Sequence, residues 1–224
     1  MFIRFLDIFF SSFAILVLSP MLIPVIIILR FTGEGEVFFL QKRVGINEKS
    51  FYLFKFATMK KNSPNIATGT VTIKNDPRVL PVGKFLRKTK INELPQLINV
   101  LLGHMSIIGP RPLTTETFES YPDYIKQIIF NVRPGLSGIG SIIFRDEENI
   151  LDNQVNTMEF YENVIAPYKG SLEEWFVLNR NLYIYFLLIF LTVWVIIFSK
   201  SSLPWKMLKN LPQPPDKIKN KLGL

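Results

Sequence analysis

The chain contains no cysteine and a single histidine, His104, among its 224 residues. The lack of cysteine excludes disulfides and thiolate metal sites, and one histidine excludes a centre built from several imidazoles. Any bound metal must therefore be held by oxygen ligands, which favours Mg²⁺ or Mn²⁺. Internal repeats and low-complexity tracts are also missing.

Acidic residues are scarce in the middle of the chain, where Asp76 is the one acid between Lys60 and Lys90. The cations of this stretch are Lys60, Lys61, Lys74, Arg78, Lys84, Arg87, Lys88 and Lys90. The whole chain carries a net charge of +8, so this basic field suits a polyanionic substrate or a membrane surface. Nucleic acid is a poor fit, because the aromatic residues cluster in apolar runs rather than alternating with the basic ones.

A long apolar run extends from Phe5 to Phe31, with Arg4 before it and Arg30 near its end. At about 1.5 Å per residue it could cross a hydrocarbon core of ~30 Å. Ser19-Pro20 lies near its middle; Pro20 removes a helical hydrogen bond, and Ser19 can bond the carbonyl that is released. The residues fit two arrangements equally well: a kinked straight span, or a helix that enters the membrane and returns to the same side.

A second apolar run, Leu182–Phe198, has the minimum length for a span. The lysine-rich tail after it should stay in the cytoplasm. If the first run returns, the second should lie in the membrane interface or pack on the domain; if the first crosses, the second must cross back. We expect the Pro- and Lys-rich tail from Pro204 to be loosely ordered in part.

The segment around Asn92-Glu93 carries the clearest chemical signal. Apolar residues at helical spacing follow it: Leu94, Leu97, Ile98 and Leu101. This spacing predicts a helix with one apolar face, capped by Asn92 and with Pro95 in its first turn. Glu93 would then lie where the helix N–H groups attract anions, and a metal-bound diphosphate could occupy that place. The alternative is an ordinary capped helix, but the neighbouring cations favour the anion site.

Two arginines lie on a stiffened backbone: Arg111 between two prolines, and Arg133 before Pro134. Such guanidinium groups suit bidentate contact with phosphate. The glycine-rich stretch from Gly135 to Ser141 could cradle a phosphate with its N–H groups or could simply form a turn.

Between the apolar runs the sequence predicts a hairpin from strands at Val37–Leu40 and Lys49–Phe56, with its turn near Val44–Asn47. It also predicts an irregular loop from Asn62 to Thr70 and a turn at Asn75–Arg78.

Taken in order, several motifs resemble those of the bacterial sugar transferases, the monotopic polyprenyl-phosphate phosphoglycosyl transferases. The motifs are Ser19-Pro20, Lys55-Phe56-x-Thr58-Met59, Asp76-Pro77-Arg78, Asn92-Glu93-Leu94-Pro95-Gln96, Gly103-x-Met105-Ser106-x-x-Gly109-Pro110-Arg111-Pro112 and Arg133-Pro134-Gly135. The resemblance runs from about residue 2 to residue 198, and a set of motifs in this order is highly specific.

The resemblance implies a helix-rich α+β monotopic membrane protein with a re-entrant N-terminal helix broken at Ser19-Pro20 and with interfacial amphipathic helices. It implies three parts: a membrane helix (1–31), a cytoplasmic transferase domain (32–181), and an apolar membrane-associated helix with a basic tail (182–224). The protein would lie on the cytoplasmic face of the bacterial inner membrane.

The activity that the resemblance implies is transfer of sugar 1-phosphate from a UDP-sugar to undecaprenyl phosphate, with release of UMP, as the first membrane step of surface glycan biosynthesis. The family uses Mg²⁺ and a covalent phosphosugar on the Asp of an Asp-Glu dyad. Membrane lipids and downstream glycosyltransferases would be partners. The implied site residues are Asn92 and Glu93 as the catalytic pair, Glu93 as metal ligand, and Arg78, Arg87, Lys88, Lys90, Arg111 and Arg133 as phosphate ligands.

Three positions depart from the family pattern. Asn92 replaces the nucleophilic Asp, and an amide cannot attack phosphorus; His104 and Ala57 replace an Asp and a basic residue. Glu93 would then be nucleophile, metal ligand or both in succession. The alternatives are direct transfer without a covalent intermediate, or a catalytically impaired membrane scaffold for glycosyltransferases.

Overall fold

The computed structural model describes residues 2–63, 76–119, 121–151, 156–199 and 201–222. The fold is α+β and 61% helical, which confirms the predicted class. The chain divides into two compact units. The first comprises 1–42 and 52–103, and the second comprises 43–51 and 104–224. The predicted three-part division follows membrane association rather than packing, and it stays a prediction.

The first unit contains the N-terminal helix and the elements around Glu93. Its elements are α1 (Phe2–Phe31), most of strands β1 (Phe38–Val44) and β2 (Ser50–Phe56), α2 (Pro81–Lys88), a 3₁₀ turn (Ile91–Glu93) and α3 (Gln96–Leu102). The strands pair as the predicted hairpin, and its turn belongs to the second unit. A small core of Leu29, Phe56 and Leu86 joins α1 to β2 and α2.

Helix α1 is continuous through Pro20 and Pro24. The structure therefore does not show the predicted break of the helix at Ser19-Pro20. Pro20 has no N–H for the carbonyl of Leu16, and the Ser19 hydroxyl donates to that carbonyl at 2.8 Å, as the sequence predicts. Most of its large apolar side chains are exposed. Among the described helices it is the one long and apolar enough to cross a membrane.

The second unit is built mainly of helices around a two-stranded parallel sheet. Its elements are β3 (Ser106–Ile108), α4 (Thr115–Glu119), α5 (Asp123–Ile129), β4 (Gly135–Ser137), α6 (Ile139–Ile143), α7 (Glu147–Leu151), α8 (Thr157–Phe160), a π turn (Tyr161–Ile165), α9 (Ala166–Asn179), α10 (Leu182–Ile197), α11 (Leu203–Met207), α12 (Asp216–Lys219) and short 3₁₀ turns at Ile46–Glu48 and Asn220–Leu222. Strand β3 pairs with β4 in the register Ser106 to Gly135.

Helix α10 is the second apolar run, and it packs on its own unit along one face. Leu188 and Leu191 are fully buried, whereas Tyr183, Phe190 and Ile197 on other faces are exposed. Packing on the domain was one of the expected outcomes. A helix that lipid alone surrounds does not fit this burial.

The C-terminal tail is more ordered than the sequence suggests, so the prediction of a loosely ordered tail is wrong for the described residues. Ile218 is fully buried, the Tyr168 hydroxyl donates to the Pro212 carbonyl at 2.8 Å, and Lys221 donates to the Ile150 carbonyl at 3.0 Å. Apolar residues spaced among the prolines and lysines secure this packing. Most of the irregular loop predicted at Asn62–Thr70 lies outside the described residues.

Candidate active site

Glu93 lies in the 3₁₀ turn that links α2 to α3. Lys90 begins this turn with a left-handed backbone, φ 60°, which is uncommon for a residue with a side chain. The Lys55 Nζ, reaching from β2, lies 3.6 Å from Glu93 Oε1. The two side chains are 18% and 25% exposed, so this carboxylate is accessible and is paired with a cation.

Asn92 does not cap a helix, and that prediction is wrong. It lies inside the 3₁₀ turn, and Pro95 occupies the position before α3 without a side-chain capping bond. The Asn92 side chain points inward: the residue is 6% exposed, and its Oδ1 is buried without a hydrogen-bond partner among the described residues. The 3₁₀ turn between α2 and α3 therefore leaves Glu93 partly exposed and buries its neighbour Asn92.

The buried face of α3 also differs from the predicted one. Leu97 is buried as expected, but Ile98 is 39% exposed and the polar Asn99 is fully buried. Asn99 satisfies both ends of its amide on β2: its Oδ1 accepts from the Phe54 N–H at 2.9 Å, and its Nδ2 donates to the Tyr52 carbonyl at 2.7 Å. This amide bridge fixes α3 against the strand that carries Lys55.

Arg4 holds the other end of α3. Its guanidinium donates to the carbonyls of Val100 and Leu101 at 2.5 and 2.8 Å, where a helix leaves carbonyls unpaired and its dipole favours a cation. Gly103 ends the helix in the left-handed region, with φ 85°. Arg4, expected to be a cation flanking the membrane segment, therefore ties α1 to the helix that follows Glu93.

The cations at the end of α2 and just after it fall into different environments. Lys88 and Lys90 are exposed and Arg87 is half-buried. Gly83 lets this helix approach the segment after β2 closely, because a Cβ there would lie 2.2 Å from the Thr58 carbonyl oxygen. One short stretch of chain thus carries Arg87, Lys88, Lys90 and Asn92 and ends at Glu93, which pairs with Lys55.

Arg78 is placed differently from the other predicted phosphate ligands. It is 3% exposed, its Nε and Nη2 bond the Asp76 carboxylate at 2.6–3.1 Å, and its Nη1 donates to the Ser63 carbonyl at 2.9 Å. Bonding to Asp76 raises the pKa of Arg78. These contacts describe a structural ion pair within a turn, and phosphate binding by Arg78 stays a prediction.

Arg111 and Arg133 lie in the second unit, and both are exposed. Their backbones run side by side: the Gly135 N–H donates to the Pro110 carbonyl at 2.7 Å, and a Cβ on Gly109 would lie 2.4 Å from the Arg133 carbonyl oxygen. The glycines therefore allow two arginine-bearing segments to touch. The Gly135 N–H is therefore not available to a phosphate, and a cradle formed by the rest of the stretch up to Ser141 stays a prediction.

The Arg111 loop is held at successive residues. Arg43 Nη1 donates to the Pro112 carbonyl at 3.0 Å, and the Val44 N–H donates to the Leu113 carbonyl at 3.0 Å. The Arg111 N–H itself donates to Glu173 Oε1 at 3.3 Å. The exposed guanidinium thus stands on a fixed backbone, as the two flanking prolines predict.

Sequence reasoning missed Lys55, Glu173 and Lys169 as candidate functional residues. Lys55 had a usable signal, because it continues the alternation of Phe51 and Leu53, whose side chains are buried. A charged residue on a buried strand face needs a partner. Glu173 and Lys169 carry no such signal, since the apolar pattern of α9 surrounds them only after the chain has folded.

The residues near Glu93 fit Mg²⁺ only if substrate phosphates and waters supply most of its ligands. No group of three or more His, Cys, Asp or Glu that could hold a metal occurs within the described ranges. Mg²⁺ is commonly held by one or two carboxylates together with substrate phosphates and waters. A single accessible carboxylate beside a basic stretch suits an ion that arrives with a diphosphate.

The chain matches the family model described as bacterial sugar transferase over residues 1–199. It belongs to the bacterial sugar transferase family. The predicted resemblance and the prediction that the protein is an enzyme are thereby confirmed.

Curated relatives of this sugar transferase include exopolysaccharide production proteins. PSS of Rhizobium leguminosarum bv. phaseoli is 38% identical over 148 residues, which cover 62% of this chain and 72% of that protein. ExoY of Rhizobium meliloti is 32% identical over 174 residues, covering 71% and 76%.

Another relative is the UDP-glucose:undecaprenyl-phosphate glucose-1-phosphate transferase of Escherichia coli, 38% identical over 157 residues. The match covers 69% of this chain but 34% of that protein. This chain therefore corresponds to about a third of that larger relative.

Proposed function

We propose that this sugar transferase moves a sugar 1-phosphate from a UDP-sugar to undecaprenyl phosphate and releases UMP, as the first membrane step of a surface glycan. The observation that carries the proposal is the accessible Glu93 carboxylate, paired with Lys55 and set beside Arg87, Lys88 and Lys90. Names of the relatives supply the substrate class, since the Escherichia coli protein is named for UDP-glucose and undecaprenyl phosphate.

Glu93 is the proposed reacting carboxylate. In a covalent route one of its oxygens attacks the phosphorus that bears the sugar, the bond from that phosphorus to the bridging oxygen breaks, and UMP leaves. A phosphate oxygen of undecaprenyl phosphate then displaces Glu93 and restores the carboxylate. Asn92 takes no part in bond making, because its amide is not a phosphate nucleophile and its Oδ1 is buried.

The cations are proposed to position the phosphates, because phosphoryl transfer depends mainly on positioning and electrostatics. Lys88 and Lys90 are exposed next to the Glu93 turn of the first unit. Arg111 and Arg133, which are exposed in the second unit, are proposed as phosphate ligands because they belong to the family motifs. Mg²⁺, held by Glu93 with the diphosphate, would neutralise charge on the transferring group.

A monotopic position on the cytoplasmic face of the inner membrane is proposed from the packing of α1. Its first turn is bonded through Arg4 to α3, and near its other end Leu29 packs with Phe56 and Leu86 of the same unit. Thirty helical residues extend roughly 45 Å, more than a ~30 Å hydrocarbon core. A unit that contacts both ends supports a helix whose two ends stay on one side.

Topology can be tested by labelling, because the chain has no cysteine of its own. Single cysteines at positions 2 and 34 should react equally with an impermeant thiol reagent added to inverted membrane vesicles. A cysteine at position 217 in the basic tail serves as the control for the cytoplasmic side. Opposite labelling of positions 2 and 34 would contradict the re-entrant arrangement.

The activity test uses the full chain in lipid nanodiscs with a panel of UDP-sugars, undecaprenyl phosphate and Mg²⁺. We expect UMP release with at least one UDP-sugar, and formation of a lipid-linked product only when undecaprenyl phosphate is present. The second candidate, an inactive scaffold for glycosyltransferases, is favoured by one observation, Asn92 in the nucleophile position. Absence of UMP with every UDP-sugar would favour that scaffold.

A further inference from the structure

A buried carboxyl group lies directly beneath the Arg111 loop. Glu173 of α9 is 4% exposed, and its Oε1 accepts the Arg111 backbone N–H at 3.3 Å. Gly140 makes the room for it, because a Cβ on Gly140 would lie 2.5 Å from that same oxygen. The second oxygen, Oε2, is buried and has no hydrogen-bond partner among the described residues.

The charged groups around Glu173 leave its negative charge poorly compensated. Lys169, one turn earlier on α9, places its Nζ 2.5 Å from Glu147 Oε1 and over the rings of Phe144 and Tyr161, at 5.0 and 5.5 Å from their centroids. The Lys169 ammonium group therefore forms its ion pair with Glu147. Two further groups face this region: the Arg111 guanidinium and the buried Tyr121 phenol, each of which interacts electrostatically with Glu173.

Burial is the dominant influence on this carboxyl group and raises the pKa of Glu173 to about 7. The Arg111 N–H, Lys169 and the Arg111 charge oppose that rise. Burial also lowers the pKa of Lys169, with Glu147 opposing. The geometry and the burial agree: a carboxyl group with one weak N–H contact and one unpaired oxygen favours its neutral form.

We propose that Glu173 is a positioning residue for Arg111, and that its charge state sets how tightly the Arg111 guanidinium binds a substrate phosphate. The proposal rests on the function proposed above, in which Arg111 is a phosphate ligand. Neutral Glu173 supports the loop through its hydrogen bond and adds no negative charge beside Arg111. Ionised Glu173 competes for the positive charge of Arg111 from below.

The charge of the UDP-sugar should not change with pH over the range of the experiment. The diphosphate of a UDP-sugar keeps the same charge between pH 6 and pH 8.5, whereas the phosphate monoester of undecaprenyl phosphate does not. Binding of a UDP-sugar therefore isolates the protein's contribution. The probe is UDP-glucose or, if the activity panel selects another sugar, the UDP-sugar it selects.

The experiment measures the dissociation constant of that UDP-sugar for the full chain in nanodiscs from pH 6 to pH 8.5. For the natural sequence we expect the constant to rise about three- to tenfold as pH increases, with a midpoint near pH 7. Glu173→Gln keeps the shape and the acceptor oxygen but cannot ionise, so its constant should be independent of pH. Glu174→Gln, at the neighbouring half-buried position, is the matched control and should behave like the natural sequence.

A role in packing alone would not change the pH profile, so the profile distinguishes positioning from structure. The inference is overturned if the natural sequence shows no pH dependence, or if Glu173→Gln keeps the same rise. The first criterion needs no variant and holds even if Glu173→Gln fails to fold. Failure to bind or turn over any UDP-sugar would overturn the proposed function as well, which is a distinguishable result.

Discussion

Two arginines that were both predicted to bind phosphate lie in opposite environments. Arg78 of the first unit is buried and bonded to Asp76, while Arg111 of the second unit is exposed above a buried carboxyl group. In the first unit the buried charges form a matched pair, and Glu93, the proposed reacting residue, stays accessible. In the second unit the accessible cation is the proposed ligand, and the buried carboxyl group is incompletely paired. Exposure and the partner of each charge therefore make Arg111 a better candidate for phosphate binding than Arg78.

Breaking the matched pair should have the largest effect on stability. Asp76→Ala leaves the buried Arg78 guanidinium without its carboxylate, which should lower the free energy of unfolding by about 3–5 kcal/mol. Chemical denaturation of the detergent-solubilised chain measures the change. Asp123→Ala is the control, because Asp123 forms an ion pair with Lys126 while 89% exposed, and it should leave the unfolding midpoint nearly unchanged. Equal effects of the two would contradict a structural role for the Asp76–Arg78 pair.

The incompletely paired carboxyl group should show itself in the pH dependence of stability. The ordinary pKa of a glutamate is 4.5, and in the folded chain the pKa of Glu173 is raised to about 7. Between these values the folded chain keeps a proton that the unfolded chain has lost, so stability falls as pH rises from 4.5 to 7 and then levels off. The loss is on the order of 3 kcal/mol.

Glu173→Gln removes this titration. Its advantage in unfolding free energy over the natural sequence should therefore be larger at pH 8 than at pH 5, as measured by denaturation at the two pH values. Glu174→Gln should show no such difference. An advantage that is the same at both pH values would mean that Glu173 is ionised throughout, like an ordinary glutamate.

The exposed arginine should matter for activity rather than for stability. Arg111→Ala removes a bidentate phosphate contact and should cost about 1.5–3 kcal/mol in kcat/KM, or roughly ten- to a hundredfold. Lys61→Ala is the control, because Lys61 is 74% exposed and pairs with Glu36 on the surface. The rate of UMP release at several UDP-sugar concentrations gives kcat/KM for each of the two variants. Small and equal losses would remove Arg111 from the substrate site.

The sequence was sufficient for much of the fold, because local patterns dictate it. Apolar runs predicted α1 and α10, and strand signals predicted the hairpin. Pro20 and Ser19 together predicted the hydrogen bond from the Ser19 hydroxyl to a carbonyl inside α1. The site was less predictable, because burial of polar groups depends on contacts distant in sequence. Asn99 bonds β2 across more than forty residues, and Glu173 meets the Arg111 loop across sixty-two. The burial of Arg78 was not predicted for the same reason, since it depends on how the chain folds around Asp76.

The central claim is that the Glu93 carboxylate carries the chemistry in a site where residue 92 is an amide. The measurement that tests it most directly is the rate of lipid-linked product formation by Glu93→Gln, set against Glu116→Gln, an exposed glutamate of α4. Glutamine keeps the size and hydrogen-bonding capacity of Glu93 but removes its charge. We predict that Glu93→Gln falls to background while remaining folded, and that Glu116→Gln keeps the natural rate. Full turnover by Glu93→Gln would contradict the account and direct the search for the reacting carboxylate to Asp76 or Asp146.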